Sequence, residues 1–217
     1  MTHRAEKLIV SVGLAAILHP TFQAVAAVAN TRSIPPPRWL LTPFDTLPVV
    51  PMAVWIYLSW YPATAAVLLT GCETFRRAYA AYLVAFAVSI TSYLLFPVTI
   101  TRSPVATTTG ASSAMLRAVY TLDLPVNLFP SFHAAVAAIL WRLRPTSGVI
   151  SLGVSVWALA LCAACILTKQ HYVLDVGAGV IVGILALQAV DFARTAWRLG
   201  DIPKLADAGF ESGSVEQ

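Results

Sequence analysis

The chain has 217 residues, 58% of them apolar and 11% charged, with a net charge of +4. Soluble domains carry about 45–50% apolar and about 25% charged residues, so this composition excludes an ordinary water-soluble globule. The basic residues fall between apolar runs rather than along one stripe; that argues against a nucleic-acid partner and suits anchors flanking membrane helices.

A helix crossing a bilayer needs about 20 mostly apolar residues. The first run that qualifies is 8–29, interrupted by His19-Pro20. Arg4 and Lys7 ahead of it and Ala27-Val28-Ala29 at its end also make the pattern of a cleavable signal peptide. The length of the run favours an uncleaved span. The second run, 49–70, carries the interface-type aromatics Trp55, Tyr57, Trp60 and Tyr61, and the third is 79–96. A mixed connection follows over 97–130. Within it, 113–122 predicts a short interfacial helix, with Arg117 on its polar side and Met115, Leu116 and Val119 dipping into lipid. The fourth run, 131–143, is short for a span, and Arg142 and Arg144 can lengthen it by snorkelling. The fifth run is 149–167 and the sixth 172–196. In the sixth, Gly179 and Gly183 make the small-xxx-small spacing that lets helices approach closely. The predicted fold is all-α, an integral membrane bundle of about six transmembrane helices. One domain covers 1–200, and the polar stretch 201–217 is expected to be a disordered tail.

Cys162 and Cys165 form a Cys-x-x-Cys spacing inside the fifth apolar run, with no second pair or histidine spacing to complete a metal site. They read as small buried hydrophobes, and neither a metal nor a cofactor is called for. Alternating the spans from a cytoplasmic N-terminus puts nine Lys or Arg on the cytoplasmic side and five on the other. That bias predicts cytoplasmic N- and C-termini in a plasma or inner membrane.

The same alternation brings three polar segments to the opposite face. They are Pro97-Val98-Thr99-Ile100-Thr101-Arg102, Phe129-Pro130-Ser131-Phe132-His133, and Lys169-Gln170-His171-Tyr172-Val173-Leu174-Asp175. Arg102, Ser131, His133, Lys169, His171 and Asp175 thus converge from separate stretches of chain. Polar groups at membrane depth are costly and mark function by default. The convergence suits phosphate: two helix N-termini offer unpaired N–H groups, Arg102 a bidentate clamp and Lys169 a point charge. Asp175, one turn beyond His171, can orient the imidazole as a nucleophile, which leaves His133 for proton transfer. Alone, His133 would read as an ordinary residue at a helix start, and Asp175 as a cap or a partner for Lys169. His19 beside Pro20 reads as belonging to a helix kink, and Arg32, Arg38 and Pro35-Pro36-Pro37 as loop chemistry.

Pro130-Ser131-Phe132-His133 and His171-x3-Asp175 resemble the later motifs of the type 2 phosphatidic acid phosphatase superfamily, Pro-Ser-Gly-His and Ser-Arg-x5-His-x3-Asp. The wording Lys-Gln-His-Tyr-Val-Leu-Asp-Val-x-Ala-Gly resembles the branch that includes inositol phosphorylceramide synthases. The likeness runs from the second helix to the sixth. It implies a phosphohistidine intermediate on His171, support from Asp175, and acid–base work by His133. Arg102 would correspond to the arginine of the first family motif, with Ser131 and Lys169 among the phosphate-binding groups. Three positions depart from the pattern. Phe132 replaces a glycine, Leu95 stands near the place of an expected basic residue, and Ala164-Cys165 replace the Ser-Arg pair.

Two functions follow as expectations. The first is a membrane lipid phosphatase or phosphotransferase acting on a lipid phosphate drawn from the bilayer, with water or a lipid hydroxyl as acceptor. The second is a non-enzymatic transporter or an anion- or lipid-binding scaffold that keeps a degraded site. Lipid identity and oligomeric state are not legible in the sequence.

Overall fold

A computed structural model describes residues 3–102 and 109–210, the stretch 198–210 as backbone. The fold is all-α. Among the described residues there is no strand, and Ile34 and Val98 form an isolated parallel bridge. Five stretches of the described residues are long and apolar enough to cross a membrane: His3–Asn30, Pro51–Leu69, Cys72–Leu95, Gly148–Leu167 and Val173–Trp197. With the shorter apolar helix Phe132–Leu143 they make the expected bundle of about six.

Helix α1 (His3–Asn30) continues through Pro20. Proline removes one intrahelical N–H, and beside it the Thr21 hydroxyl donates to the Ile17 carbonyl at 2.8 Å. The second span is not one helix. A 3-10 turn (Pro51–Ala53), α2 (Val54–Leu58), α3 (Trp60–Ala66) and a second 3-10 turn (Val67–Leu69) succeed one another. The break lies at Ser59, three residues before Pro62, whose missing N–H cannot continue the ladder. The Ser59 hydroxyl donates to the Ile56 carbonyl and accepts from Trp157 Nε1 at 2.9 Å.

Helix α4 (Cys72–Leu95) is followed by α5 (Ala111–Leu122), and here the structure corrects the expectation of a lipid-dipping helix. Leu116 is fully buried in protein, and Val119 packs near Ala53 and Tyr57. The apolar side of α5 therefore covers the start of the second span, while Arg117 stays exposed.

Helix α6 (Phe132–Leu143) is short because it is central. Its residues Ala134 to Ile139 are all buried, against α4, α7 (Gly148–Leu167) and α8 (Val173–Phe210). The closest approach is between α6 and α8. A Cβ added at Gly179 would lie 2.2 Å from the Ser131 carbonyl oxygen, and one at Gly183 would lie 2.2 Å from that of Ala135. The predicted small-residue stripe is thus what lets the two helices touch. Helix α8 runs past Gly200 to Phe210, and the remainder of the predicted tail, 211–217, lies outside the described residues.

The helix ends sort into two faces. At one, Lys7 Nζ donates to the Thr70 carbonyl, Arg77 forms a two-point ion pair with Asp191, and Arg194 pairs with Glu73. At the other, the Ile34–Val98 bridge, the Val50 N–H to Leu167 carbonyl bond and the Lys169 to Asp45 bond gather the polar segments.

Candidate active site

The α7–α8 connection carries His171. Helix α7 ends with Lys169 in the left-handed region (φ 53°), and the Cys165 carbonyl accepts from the amides of both Gln170 and His171. Backbone of this kind satisfies the last carbonyls of a helix and reverses the chain sharply. It sets His171 one turn before Asp175. His171 is buried, and its Nδ1 lies 3.0 Å from the Leu128 carbonyl oxygen. A carbonyl only accepts, so Nδ1 carries the proton and Nε2 keeps its lone pair.

Asp175 does not make the close contact expected from its spacing. Its Oδ2 is 3.8 Å from His171 Nδ1, and it accepts the Tyr172 amide at 2.8 Å instead. The carboxylate caps the first turn of α8, while the Leu128 carbonyl holds the ring. Asp45 supplies a second cap: its Oδ1 accepts the Val173 amide at 2.9 Å, and its other oxygen closes a capping box with Thr42. Two carboxylates therefore sit on the α8 N-terminus, where the sequence suggested an anion site.

His133, at the start of α6, faces His171 with ring centroids 5.7 Å apart. Tyr57 and Trp60 flank it at 4.7 and 4.9 Å, and its Nδ1 has no partner among the described residues. Ser131 proves to be a helix cap rather than an open phosphate ligand. Its Oγ accepts the Ala134 amide at 3.3 Å, and its N–H donates to the Asp175 carbonyl at 2.9 Å. That last bond ties the histidine-bearing ends of α6 and α8 together. Tyr93 of α4 adds another tie, its hydroxyl donating to the Pro130 carbonyl at 2.8 Å.

Arg102 also departs from its expected clamp. Its Nη1 reaches the Tyr120 and Asp123 carbonyls at the end of α5, its Nη2 bonds Gln170 Oε1 at 2.6 Å, and its plane lies 4.6 Å from the Tyr120 ring. Burial lowers its pKa from the ordinary value, and the nearby Asp123 opposes that. The guanidinium thus closes the end of α5 and holds the residue next to His171; both Nη atoms are engaged, while Nε has no partner among the described residues. Lys169 is the cation left at the pocket. Its Nζ donates to the Asp45 carbonyl at 2.8 Å, and burial lowers its pKa from the usual lysine value, partly offset by Asp45. Ala164 and Cys165, which replace the Ser-Arg pair, are fully buried among Ala134, Ala53 and Val176 and reach no pocket.

His171 borders two cavities. The outer one, about 220 Å³, is polar at its floor, with Asp45, Thr46, Thr101, Lys169 and Tyr172 around the imidazole. The inner one, about 660 Å³, lies among α1, the second span, α4 and α6, where Leu14, Leu18, Phe22, Leu83 and Phe86 form much of its wall. His133, Asp123, Asn127, Gln170 and His19 also face it. His133 borders only the inner cavity, Lys169 only the outer. Sequence reasoning missed Asp45, Asn127, Gln170 and the Leu128 carbonyl, and it set His19 aside. For Asn127 and Gln170 the available signal was polarity beside or within a motif; Asp45 lies far along the chain from every motif, and a main-chain acceptor has no signal.

Comparison with curated proteins and with solved structures yields no significant match. A family model described as the PAP2 superfamily matches residues 23–189, a range that holds Arg102, both histidines and Asp175. The match spans well over half of the chain, which belongs to the PAP2 superfamily.

Proposed function

We propose that this protein is a membrane lipid phosphatase or phosphotransferase that works through a phosphohistidine on His171. The family supports phosphatase-type chemistry on a phosphorylated substrate. The observation that carries the finer reading is the placement of the two histidines: His171 lies between a small polar cavity and a large, mostly apolar one, and His133 faces it from the apolar side.

A lipid phosphate would set its phosphoryl oxygens toward Lys169 and its tail in the inner cavity. The His171 Nε2 lone pair attacks phosphorus while the bond to the lipid oxygen breaks. The lipid phosphate enters as its monoanion, and its proton passes through His133 to that oxygen, so the lipid leaves as an alcohol. Lys169 holds charge on the equatorial oxygens. In the second half, water or an alcohol gives its proton to His133 and attacks phosphorus, the P–N bond breaks, and His171 is regenerated. The likeness to inositol phosphorylceramide synthases supports a lipid alcohol as one such acceptor. The basic residues, nine against five by alternation, support cytoplasmic termini in a plasma or inner membrane and a site on the opposite face.

The test is phosphate release from a panel of lipid phosphates by purified protein, beside His171→Ala, with and without added lipid alcohols. Release or transfer that vanishes in His171→Ala, is blocked by vanadate and leaves acid-labile phosphate on the wild-type chain is the expected result. Turnover that survives His171→Ala overturns the mechanism. Absence of turnover with every lipid and acceptor leaves the non-enzymatic scaffold.

A further inference from the structure

Asn127 and Gln170 are both buried, both border the inner cavity, and each keeps one polar atom without a partner among the described residues. On Asn127 that atom is Oδ1, an acceptor; on Gln170 it is Nε2, a donor. Their other atoms settle the orientation. Gln170 Oε1 accepts from Arg102 Nη2 at 2.6 Å, and a guanidinium only donates. Asn127 Nδ2 is directed at the Phe22 carbonyl, an acceptor, at 3.4 Å.

A buried donor and a buried acceptor left unpaired beside an apolar cavity cost free energy unless a ligand meets both. Their place in the chain says which end of a ligand they reach. Gln170 immediately precedes His171, and Asn127 immediately precedes Leu128, whose carbonyl orients that imidazole. Both residues thus adjoin, in the chain, the groups that form and hold the imidazole, and both border the inner cavity that His171 borders.

Building on the phosphotransfer reading above, we propose that Asn127 and Gln170 are specificity residues that read a hydrogen-bonding group beside the lipid's phosphoester. A hydroxyl or N–H of the lipid donates to Asn127 Oδ1, and a carbonyl or hydroxyl oxygen accepts from Gln170 Nε2. The substrate class is a lipid phosphate with a glycerol-like or amino-alcohol-like backbone, which carries both groups next to phosphate. A plain alkyl or polyprenyl phosphate carries neither, and it leaves both buried atoms unpaired, which is the strongest form of polar discrimination.

The test uses the full-length protein in detergent micelles and two lipids of matched chain length: oleoyl lysophosphatidate, with a hydroxyl and an ester carbonyl, and octadecenyl phosphate, with neither. The reading is the ratio of their kcat/KM values. The wild-type protein is expected to favour the lysophosphatidate by about tenfold or more. Asn127→Gly and Gln170→Leu should each reduce that ratio about fivefold, the size of one lost hydrogen bond. Glycine accepts the left-handed backbone of position 127 (φ 63°), and Asn127→Asp, which keeps an acceptor oxygen, should retain the preference. A wild-type ratio near one overturns the inference, as do variants that lower both kcat/KM values in proportion, the mark of a merely structural role. Wild-type protein that turns over neither lipid, with or without an added lipid alcohol, overturns the inference, and the phosphotransfer reading falls with it only if the wider panel above is silent too. Turnover without preference overturns the specificity alone.

Discussion

Asp175 is completely buried, and its Oδ2 is already engaged by the Tyr172 amide. On the phosphotransfer reading, its charge, 3.8 Å from Nδ1, is the counter-ion of the imidazole. Asp175→Asn keeps an oxygen for that amide and removes the charge, so folding is expected to persist while the positive imidazole of the transition state loses its counter-ion. The expected outcome is a fall in kcat of about a hundredfold with little change in KM, read by steady-state kinetics beside a thermal melt. An unchanged kcat would reduce Asp175 to a cap. Lys169 gives a pH signature. Burial lowers its pKa below the ordinary lysine value, so the ammonium, the phosphate-binding charge on the proposed mechanism, is lost earlier as pH rises. KM should therefore climb on the alkaline side before pH reaches the usual lysine range, and Lys169→Arg should move that climb to higher pH. A KM flat with pH in both proteins would remove Lys169 from phosphate binding. Both roles lean on residues legible in the sequence, because His171 and Asp175 stand at helical spacing and Lys169 adjoins them. The partners of Arg102 were not legible: most are carbonyls at the end of α5, and spacing along the chain says nothing about where a distant helix ends.

Among the elements, the α6–α8 crossing decides whether a site exists. Ser131 N–H to the Asp175 carbonyl joins the two helices at the level of the histidines, and Gly179 permits that contact by offering no Cβ against the Ser131 carbonyl. Gly183 does the same a turn deeper, against Ala135. Alanine at either position forces backbone apart, and overpacking of this kind costs about 1–3 kcal/mol. The two variants should differ in function. Gly183→Ala is expected to lower thermal stability and largely keep kcat, whereas Gly179→Ala should lower both, since it displaces His133 relative to His171. Melts and kinetics on the same preparations check this, and equal kcat losses would show that the helices move as one. This contact was readable in advance, since small residues four apart on an apolar helix have one common use. The break at Ser59 and the buried side of α5 were less so. Periodicity marks which side of a helix is apolar; it does not distinguish lipid from protein as the apolar partner.

Across the whole molecule, charge is divided between the two faces by purpose. At the end away from the site, Arg77 with Asp191 and Arg194 with Glu73 fasten α4 to α8, while Arg76 is largely exposed. At the site end, Lys169 is buried with its amine on a main-chain carbonyl and Arg102 closes the end of α5. Lys169 and Arg102 therefore serve the pocket and its scaffold, while the basic residues at the far end join helices or stand at the surface. The excess of basic residues predicts that the far end is cytoplasmic. Single cysteines on a background with Cys72, Cys162 and Cys165 replaced would test it. Phe44 is exposed in the loop that carries Asp45, so Phe44→Cys should react with a membrane-impermeant maleimide in intact cells. Arg76→Cys should react only after the cells are permeabilised. The reverse pattern would turn the site toward the cytoplasm. The outer-face basic residues would then join the cytoplasmic set, and the donor of the phosphoryl group would have to come from the inner leaflet.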